Sequence, residues 1–137
     1  MSYTDILIIS KREFQSLFNL GVNNLTEQIF KDKAGNLFKL GINIIIITMR
    51  KEGVIILNTD FSELIKPIEM AEVVDTTVAG DAFSAGFFYG FIRNTSYEFE
   101  NLKHNLKIGN FVVGKCIQKL GARNGIPNID KLILEFF

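Results

Sequence analysis

The chain has 137 residues, 47% of them hydrophobic, and its 15 basic residues balance 15 acidic ones. A chain of this length can bury roughly two-thirds of its unfolded surface, so we expect one globular domain over residues 1–137. Zero net charge gives no reason to expect nucleic acid or an anionic membrane surface as a partner. The apolar run Ile42–Thr48 is too short to span a bilayer. Because Cys116 is the only cysteine, no intrachain disulfide can form, and we expect a reducing cytoplasm.

The apolar pattern predicts strands and helices in an α/β order. The predicted strands are Ile6–Ile9, Ile42–Met49, its hairpin partner Gly53–Leu57, Leu64–Ile68 and Glu72–Asp75. The predicted helices are Glu13–Leu20, Glu27–Leu40, Gly80–Ile92, Leu102–Leu120, which we expect its glycines to break, and Ile129–Phe136. Continuously apolar runs such as Ile6–Ile9 are typical of strands buried on both faces, as in parallel sheets. The order therefore favours a layered α/β domain.

The predicted sheet is too small to cover its own edges. The chain begins with a strand of the buried type, and only later strands are available to pair with it. An unpaired apolar edge favours association with another chain. We therefore expect either a homo-oligomer or a partner that completes a larger sheet.

The segment Val73–Phe87 contains the chain's most informative motif. An apolar strand leads into an Asp-Thr-Thr turn, and small residues then open a helix that carries Asp81 in its first turn. Free backbone N–H groups and the positive end of a helix dipole would lie beside that carboxylate. Phosphate chemistry needs an anion site next to a general base, so the segment predicts phosphoryl transfer.

Within it, the stretch Asp75-Thr76-Thr77-Val78-Ala79-Gly80-Asp81-Ala82-Phe83 closely resembles the second signature, D-T-T-G-A-G-D-x-F, of the ribokinase-like (PfkB-type) carbohydrate kinases. Three weaker resemblances keep the family's order: Asp5–Glu13 with the strand leading into N-x-x-E, Ile47–Val54 with the nucleotide loop T-x-G-x-x-G, and Leu120–Pro127 with G-A-x-x-x-x-P. The resemblance covers the whole chain, but only the second half of the family's usual length. It implies a ribokinase-like (Rossmann-like), mostly parallel sheet flanked by helices, truncated so that the N-terminal half, the lid and the acceptor-binding residues are missing.

The resemblance also implies roles for particular residues. Asp81 would be the catalytic base that takes the proton of the substrate hydroxyl, a form of help typically worth about 10²–10⁴-fold. The resemblance also implies an anion hole at Val78, Ala79 and Gly80, and ATP contacts at Thr48, Arg50, Gly53, Gly80 and Asn110. Glu13 would place Mg²⁺ through water. Asp75 and Thr77 would hold a monovalent cation such as K⁺.

Four of these residues also have a structural explanation. Asp81 would otherwise be a carboxylate that stabilises a helix dipole, and Glu13 an ordinary first-turn residue. Asp75 would stabilise its own turn, and Asn110 would be an interior helix amide. We interpret other candidates as structural: His104 and Cys116 lack partners at metal-ligand spacing, and the phenylalanines Phe83, Phe87, Phe88 and Phe91 indicate core packing.

Three residues depart from the family's pattern. Ser10 stands where Asn is usual, and Arg50 replaces the middle glycine of the nucleotide loop, where it could pair with phosphate or block close backbone approach. Val78 stands where most members have Gly. Because a β-branched residue resists positive φ, we expect strain in the loop and reduced activity.

Two classes of function therefore stay open. The first is ATP-dependent phosphoryl transfer to an alcohol group of a sugar or nucleoside, which needs an N-terminal half or a partner subunit for the acceptor site. The second is a catalytically impaired nucleotide-binding or interaction module. The chain could equally be the product of a split gene or a piece of a longer kinase.

Overall fold

The structure is a computed structural model, and it describes residues 3–22, 25–68, 73–74, 76–121 and 123–137. The strands of the described residues are β1 (Ile6–Ser10), β2 (Ile44–Thr48), β3 (Val54–Leu57) and β4 (Ser62–Ile65). The helices are α1 (Lys11–Leu17), α2 (Glu27–Phe38), α3 (Ala79–Arg93), α4 (Phe99–Cys116) and α5 (Ile129–Phe136), with a 3-10 turn over Arg50–Glu52. The chain divides into two compact units, Met1–Pro67 and Ile68–Phe137. The single domain over residues 1–137 stays a prediction.

The first unit contains a four-stranded sheet in the order β1-β2-β3-β4. β1 and β2 are parallel, in a register that runs from Ile6 opposite Ile44 to Ser10 opposite Thr48. β2 with β3 and β3 with β4 are antiparallel, which confirms the predicted hairpin. Within the described residues the sheet is therefore mixed rather than mostly parallel. The reason is that the connections after β2 and β3 are too short for the crossover that a parallel pair requires.

The core of this unit lies around β2 and on the inner faces of α1 and α2. The four isoleucines Ile44–Ile47 are no more than 2% exposed, and Ile45 and Ile47 pack in one core cluster with Phe14 and Phe30. Phe14 of α1 and Phe30 of α2 pack with ring centroids 5.4 Å apart. The prediction of a doubly buried strand is confirmed for β2. β1 lies at an edge of the described sheet, and all five of its residues are only half-buried.

The second unit is built on the contact between α3 and α4. A Cβ atom on Gly86 of α3 would lie 2.8 Å from the Cα of Gly109, and one on Gly109 of α4 would lie 2.9 Å from the carbonyl oxygen of Phe83. The predicted break of the fourth helix at its glycines is wrong, since α4 runs without interruption from Phe99 to Cys116. Glycine inside a helix costs about 1 kcal/mol relative to alanine. Here that cost is offset because the missing side chains let the two backbones approach.

The remaining predictions for this unit have mixed outcomes. α5 has the predicted bounds, and its cap Asn128 accepts a hydrogen bond from the Lys131 N–H at 2.9 Å. Phe83 and Phe87 are buried as predicted, whereas Phe88 is 38% exposed. The predicted strand Glu72–Asp75 has both ends outside the described residues. Among the described helices, none has the length and apolar character needed to cross a bilayer.

Candidate active site

In the first unit, the junction of β1 and α1 is locked by a reciprocal pair of side-chain bonds. Ser10 ends β1 and caps α1, its hydroxyl oxygen accepting from the Glu13 N–H at 3.2 Å. In return, the Ser10 N–H and the Ser10 hydroxyl each donate to Glu13 Oε2 at 2.8 Å. This is a capping box, whose signature is Ser-x-x-Glu. The departure from Asn at position 10 therefore has a local function, and it starts α1 two residues before the predicted Glu13.

The same bonds determine the ionisation of Glu13. The hydrogen bond from the Ser10 N–H, followed by that from the Ser10 hydroxyl, holds the pKa of the Glu13 carboxyl below its ordinary value. Donors to a carboxylate stabilise its charged form. Glu13 Oε1 makes no hydrogen bond among the described residues. One ionised oxygen therefore stays available at the end of β1.

The parallel register of β1 and β2 brings the predicted nucleotide loop to the end of the sheet where Ser10 and Glu13 lie. Ser10 lies opposite Thr48, so the residues that follow β1 and β2 are neighbours. After Thr48 the chain makes a tight turn that is closed by a bond from the Met49 N–H to the Gly53 oxygen at 2.8 Å. Arg50 occupies the left-handed region at φ 51° and is exposed. Arg50 thus takes the backbone conformation that glycine favours, and its side chain projects from an exposed turn.

Gly53 closes this loop against the sheet. Its φ is 105°, and a Cβ atom there would clash with the carbonyl oxygen of Ile65 in β4. A glycine is therefore required by both conformation and space. The structure thus places Glu13, Thr48, Arg50 and Gly53 at the end of the first unit's sheet where β1 and β2 finish.

One charged pair at this end of the sheet was missed by sequence reasoning. The Lys11 ammonium donates to Glu52 Oε1 at 2.8 Å and to Glu52 Oε2 at 3.0 Å. The two residues are 41 positions apart, so no helical or strand spacing relates them. The available signal was the parallel pairing of β1 with β2, because it brings the residues after each strand together.

In the second unit, the start of α3 carries the strongest motif. Val78 precedes the helix at φ −111° and ψ 15°, and its side chain makes no capping bond. The predicted strain at Val78 is therefore wrong, because this φ is negative and lies outside the left-handed region. The Ala79 N–H donates to the Thr76 oxygen at 3.2 Å, whereas the N–H groups of Gly80 and Asp81 donate to no acceptor in the described part of the chain.

The other candidate residues of this unit lie on or next to α3 and α4. Asp81 is exposed in the first turn of α3, and Asn110 is half-buried in α4. Thr77 is exposed in the turn before α3. Asp75, its predicted partner for a monovalent cation, lies outside the described residues. The structure thus brings Val78, Gly80 and Asp81 together at one helix end, and Asn110 lies on the neighbouring helix.

His104 and Cys116 are both in hydrophobic surroundings. The His104 ring lies edge-on to Phe136 and Phe137, at centroid distances of 5.9 and 5.7 Å. Cys116 is buried, and burial raises the pKa of its thiol. Across the described ranges, no three His, Cys, Asp or Glu side chains converge as metal ligands. The packing supports a structural role for these two residues.

Comparison with known proteins finds carbohydrate kinases. Residues 1–129 match the pfkB family carbohydrate kinases. An uncharacterized sugar kinase of Archaeoglobus fulgidus is 35% identical over 90% of this chain and 44% of its own length. A ribokinase of Staphylococcus aureus is 29% identical over 96% of this chain and 41% of its own length.

The solved structures extend this likeness to the fold. The ribokinase of Arabidopsis thaliana, solved with ribose and ATP, superimposes with a TM-score of 0.78 at 24% identity. The match covers 95% of this chain and 40% of that one. A ribokinase-like fold is therefore confirmed, and the chain spans less than half the length of the relatives that it matches.

Proposed function

Because the chain belongs to the pfkB family of carbohydrate kinases, we propose that it takes part in ATP-dependent phosphoryl transfer to an alcohol group of a sugar or nucleoside. The observation that carries this proposal is the start of α3. The N–H groups of Gly80 and Asp81 are without acceptors there, at the positive end of a 15-residue helix, beside the exposed Asp81 carboxylate. The proposed anion site and the proposed base thus lie on two consecutive residues.

The proposed chemistry assigns a separate role to each of these groups. Asp81 accepts the proton of the acceptor hydroxyl while that oxygen attacks the γ-phosphorus, and the bond to the leaving ADP oxygen breaks. Charge on the transferring phosphoryl oxygens is stabilised by backbone N–H donors near Val78 and Gly80, which cost no reorganisation because the helix start already holds them. The Ala79 N–H, which is bonded to Thr76, contributes less.

We propose that the end of the first unit's sheet where β1 and β2 finish binds the phosphates of Mg·ATP. Thr48, Arg50 and Gly53 form the loop, and the Arg50 guanidinium has no carboxylate partner among the described residues. The free oxygen of Glu13 fits Mg²⁺, which proteins usually bind through one or two carboxylates together with waters and substrate phosphates. Bound there, Mg²⁺ would neutralise phosphate charge.

In the second unit, we propose that Asn110 contacts the adenine of ATP. Its support is its half-buried place in α4, in a chain of this family. A K⁺ ion at Thr77 and Asp75 remains a proposal that rests on the sequence motif.

Acceptor binding is proposed to require more than this chain. The relatives above are more than twice as long as the matched region. The half-buried edge strand β1 supports a complementing N-terminal half, or a second copy of the chain, as the partner that completes the sheet. The acceptor itself, a sugar or a nucleoside, would be selected by that partner's residues.

We also propose a cytoplasmic location. The sole cysteine, Cys116, is buried and its thiol pKa is raised, so it is neither a disulfide partner within the chain nor a reactive thiolate. This cysteine usage suits a reducing compartment.

A second candidate function is a nucleotide-binding module without turnover. It is favoured by the Ala79 N–H, which bonds to Thr76 inside the turn and is withdrawn from the predicted anion hole. The two functions differ in catalysis and agree in nucleotide binding, so one pair of measurements separates them.

The test combines calorimetric titration with Mg·ATP and a phosphorylation assay on a panel of sugars and nucleosides, with and without a complementing N-terminal half from a relative. We expect Asp81→Asn to bind Mg·ATP like the wild type and to lower turnover by about 10²–10⁴-fold. The matched control is Asp130→Asn, which changes the equivalent first-turn carboxylate of α5 and should leave turnover unchanged.

Three outcomes are informative. Wild-type protein that binds no Mg·ATP would contradict both functions. Binding without turnover on any acceptor, with or without the complementing half, would favour the module. Turnover that survives in Asp81→Asn would remove Asp81 from the role of base.

A further inference from the structure

The ion pair between Lys11 and Glu52 joins two segments that sequence reasoning treated separately. Lys11 is the first residue of α1, directly after Ser10, and Glu52 is the last residue of the 3-10 turn in the nucleotide loop. The Lys11 ammonium contacts both Glu52 oxygens, at 2.8 and 3.0 Å. The Lys11 side chain is 28% exposed and that of Glu52 is 61% exposed. The pair is therefore accessible, and its two bonds tie the loop to α1.

We propose that Lys11 and Glu52 are positioning residues, which hold the nucleotide loop, residues 48–53, in the conformation that receives the phosphates of a nucleotide. This inference rests on the proposed function for its ligand, and on geometry alone for the role of the pair in ordering the loop.

The loop needs such support because its backbone is locally strained. Arg50 occupies the left-handed region at φ 51°, which is unfavourable for a residue with a side chain. Met49, which precedes the 3-10 turn, makes no side-chain capping bond. One end of the loop is fixed where Gly53 packs on Ile65 of β4. Among the described residues, the two bonds that the Lys11 ammonium donates to the Glu52 carboxylate are the only side-chain hydrogen bonds made by residues 48–53.

Simple electrostatics makes the opposite prediction for one variant, and this allows a sharp test. The Glu52 carboxylate lies in a loop proposed to bind a polyanion, so its charge alone would repel phosphate. If charge dominated, Glu52→Gln would bind nucleotide more tightly than the wild type. If Glu52 positions the loop, the same change weakens binding, because an amide has one acceptor oxygen for Lys11 in place of two and carries no negative charge.

The binding experiment titrates Mg·ATP into the full chain and its variants. We expect Lys11→Met and Glu52→Gln each to weaken binding by about twofold to fivefold, the range that accessible ion pairs support. The charge-reversed double variant, Lys11→Glu with Glu52→Lys, should restore affinity to within about 1.5-fold, because the pair is re-formed. The control is Lys31→Met, which removes an exposed pair with Glu27 of 3.7 Å elsewhere in the same unit and should not change affinity.

A second readout requires no nucleotide. The N–H groups of Glu52 and Gly53 donate to the oxygens of Met49 and Arg50 at 3.0 and 3.2 Å inside the loop. In Lys11→Met their hydrogen exchange should accelerate by about twofold to fivefold, while the midpoint of thermal unfolding stays unchanged.

Unchanged exchange, tighter binding by Glu52→Gln, or failure of the charge-reversed variant to restore affinity would each overturn the proposed positioning role. Wild-type protein that binds no Mg·ATP would contradict the proposed function, and the exchange measurement would still judge the role of the pair in ordering the loop.

Discussion

The two units of the chain build their interiors by opposite means. The first unit fills its interior with large side chains, as Phe14 and the isoleucines of β2 show. The second brings α3 and α4 together by omitting side chains, since Gly86 and Gly109 leave room only for hydrogen atoms. An interior can therefore exclude water either because large side chains fill it or because missing side chains let two helices approach closely. Removing side-chain atoms should therefore destabilise the first unit, and adding them should destabilise the second.

The candidate carboxylates differ between the units in a parallel way. Glu13 is bonded to Ser10 through one oxygen, and this lowers its pKa. Asp81 is exposed and makes no side-chain hydrogen bond among the described residues. Glu13 is thus partly committed to structure, whereas Asp81 is available for chemistry.

The largest effect should come from removing a large side chain from the first unit. Phe14 is fully buried, and its ring lies 4.9 Å from that of Phe18 and 5.4 Å from that of Phe30. Phe14→Ala should lower the free energy of unfolding by about 3–5 kcal/mol, because a cavity remains. Urea denaturation measures this, with the half-exposed Leu17 of the same helix as control, Leu17→Ala. A loss under 1 kcal/mol would mean that the site collapses around the cavity.

In the second unit, adding a single methyl group should be harmful. Gly86→Ala should lower the free energy of unfolding by about 1–3 kcal/mol, because its Cβ would press on the Gly109 backbone of α4. The matched control is Gly35→Ala in α2, where a Cβ would meet nothing within 4 Å. That change should raise the free energy of unfolding by about 0.5–1 kcal/mol, because alanine is the better helix former. Equal signs for both would break the comparison between the units.

The smallest effect concerns the pH dependence that Glu13 confers. Its folded-state pKa is lowered, so the ionised carboxyl stabilises the fold above its unfolded-state pKa, and this contribution is lost as the pH falls through the folded-state pKa. Glu13→Gln should therefore lose less stability than the wild type on acidification. In Ser10→Ala, an NMR titration should show that the pKa of the Glu13 carboxyl rises toward its ordinary value. The rise should be only partial, because the backbone N–H of residue 10 still donates to the carboxyl. A titration midpoint at the ordinary value in wild type would refute the bond's effect.

Much of the fold was predictable because it follows from local chemistry. The apolar runs predicted β1 to β3, and the sequence also predicted α5 with its observed bounds. The predicted break in α4 failed because helix propensity is local, whereas the contact that accommodates Gly109 comes from α3. The strain predicted at Val78 failed for a similar reason, since the turn that precedes α3 gives this residue a negative φ.

The family could be recognised from the amino-acid sequence alone, because its signature around Asp81 consists of residues that are close along the chain. The tertiary structure was needed to show at which glycines an added Cβ atom would clash. It was also needed to show that Lys11 contacts Glu52, which lies 41 positions away along the chain. Such contacts depend on how strands and helices pair, and sequence spacing does not encode the distance between residues that pairing brings together.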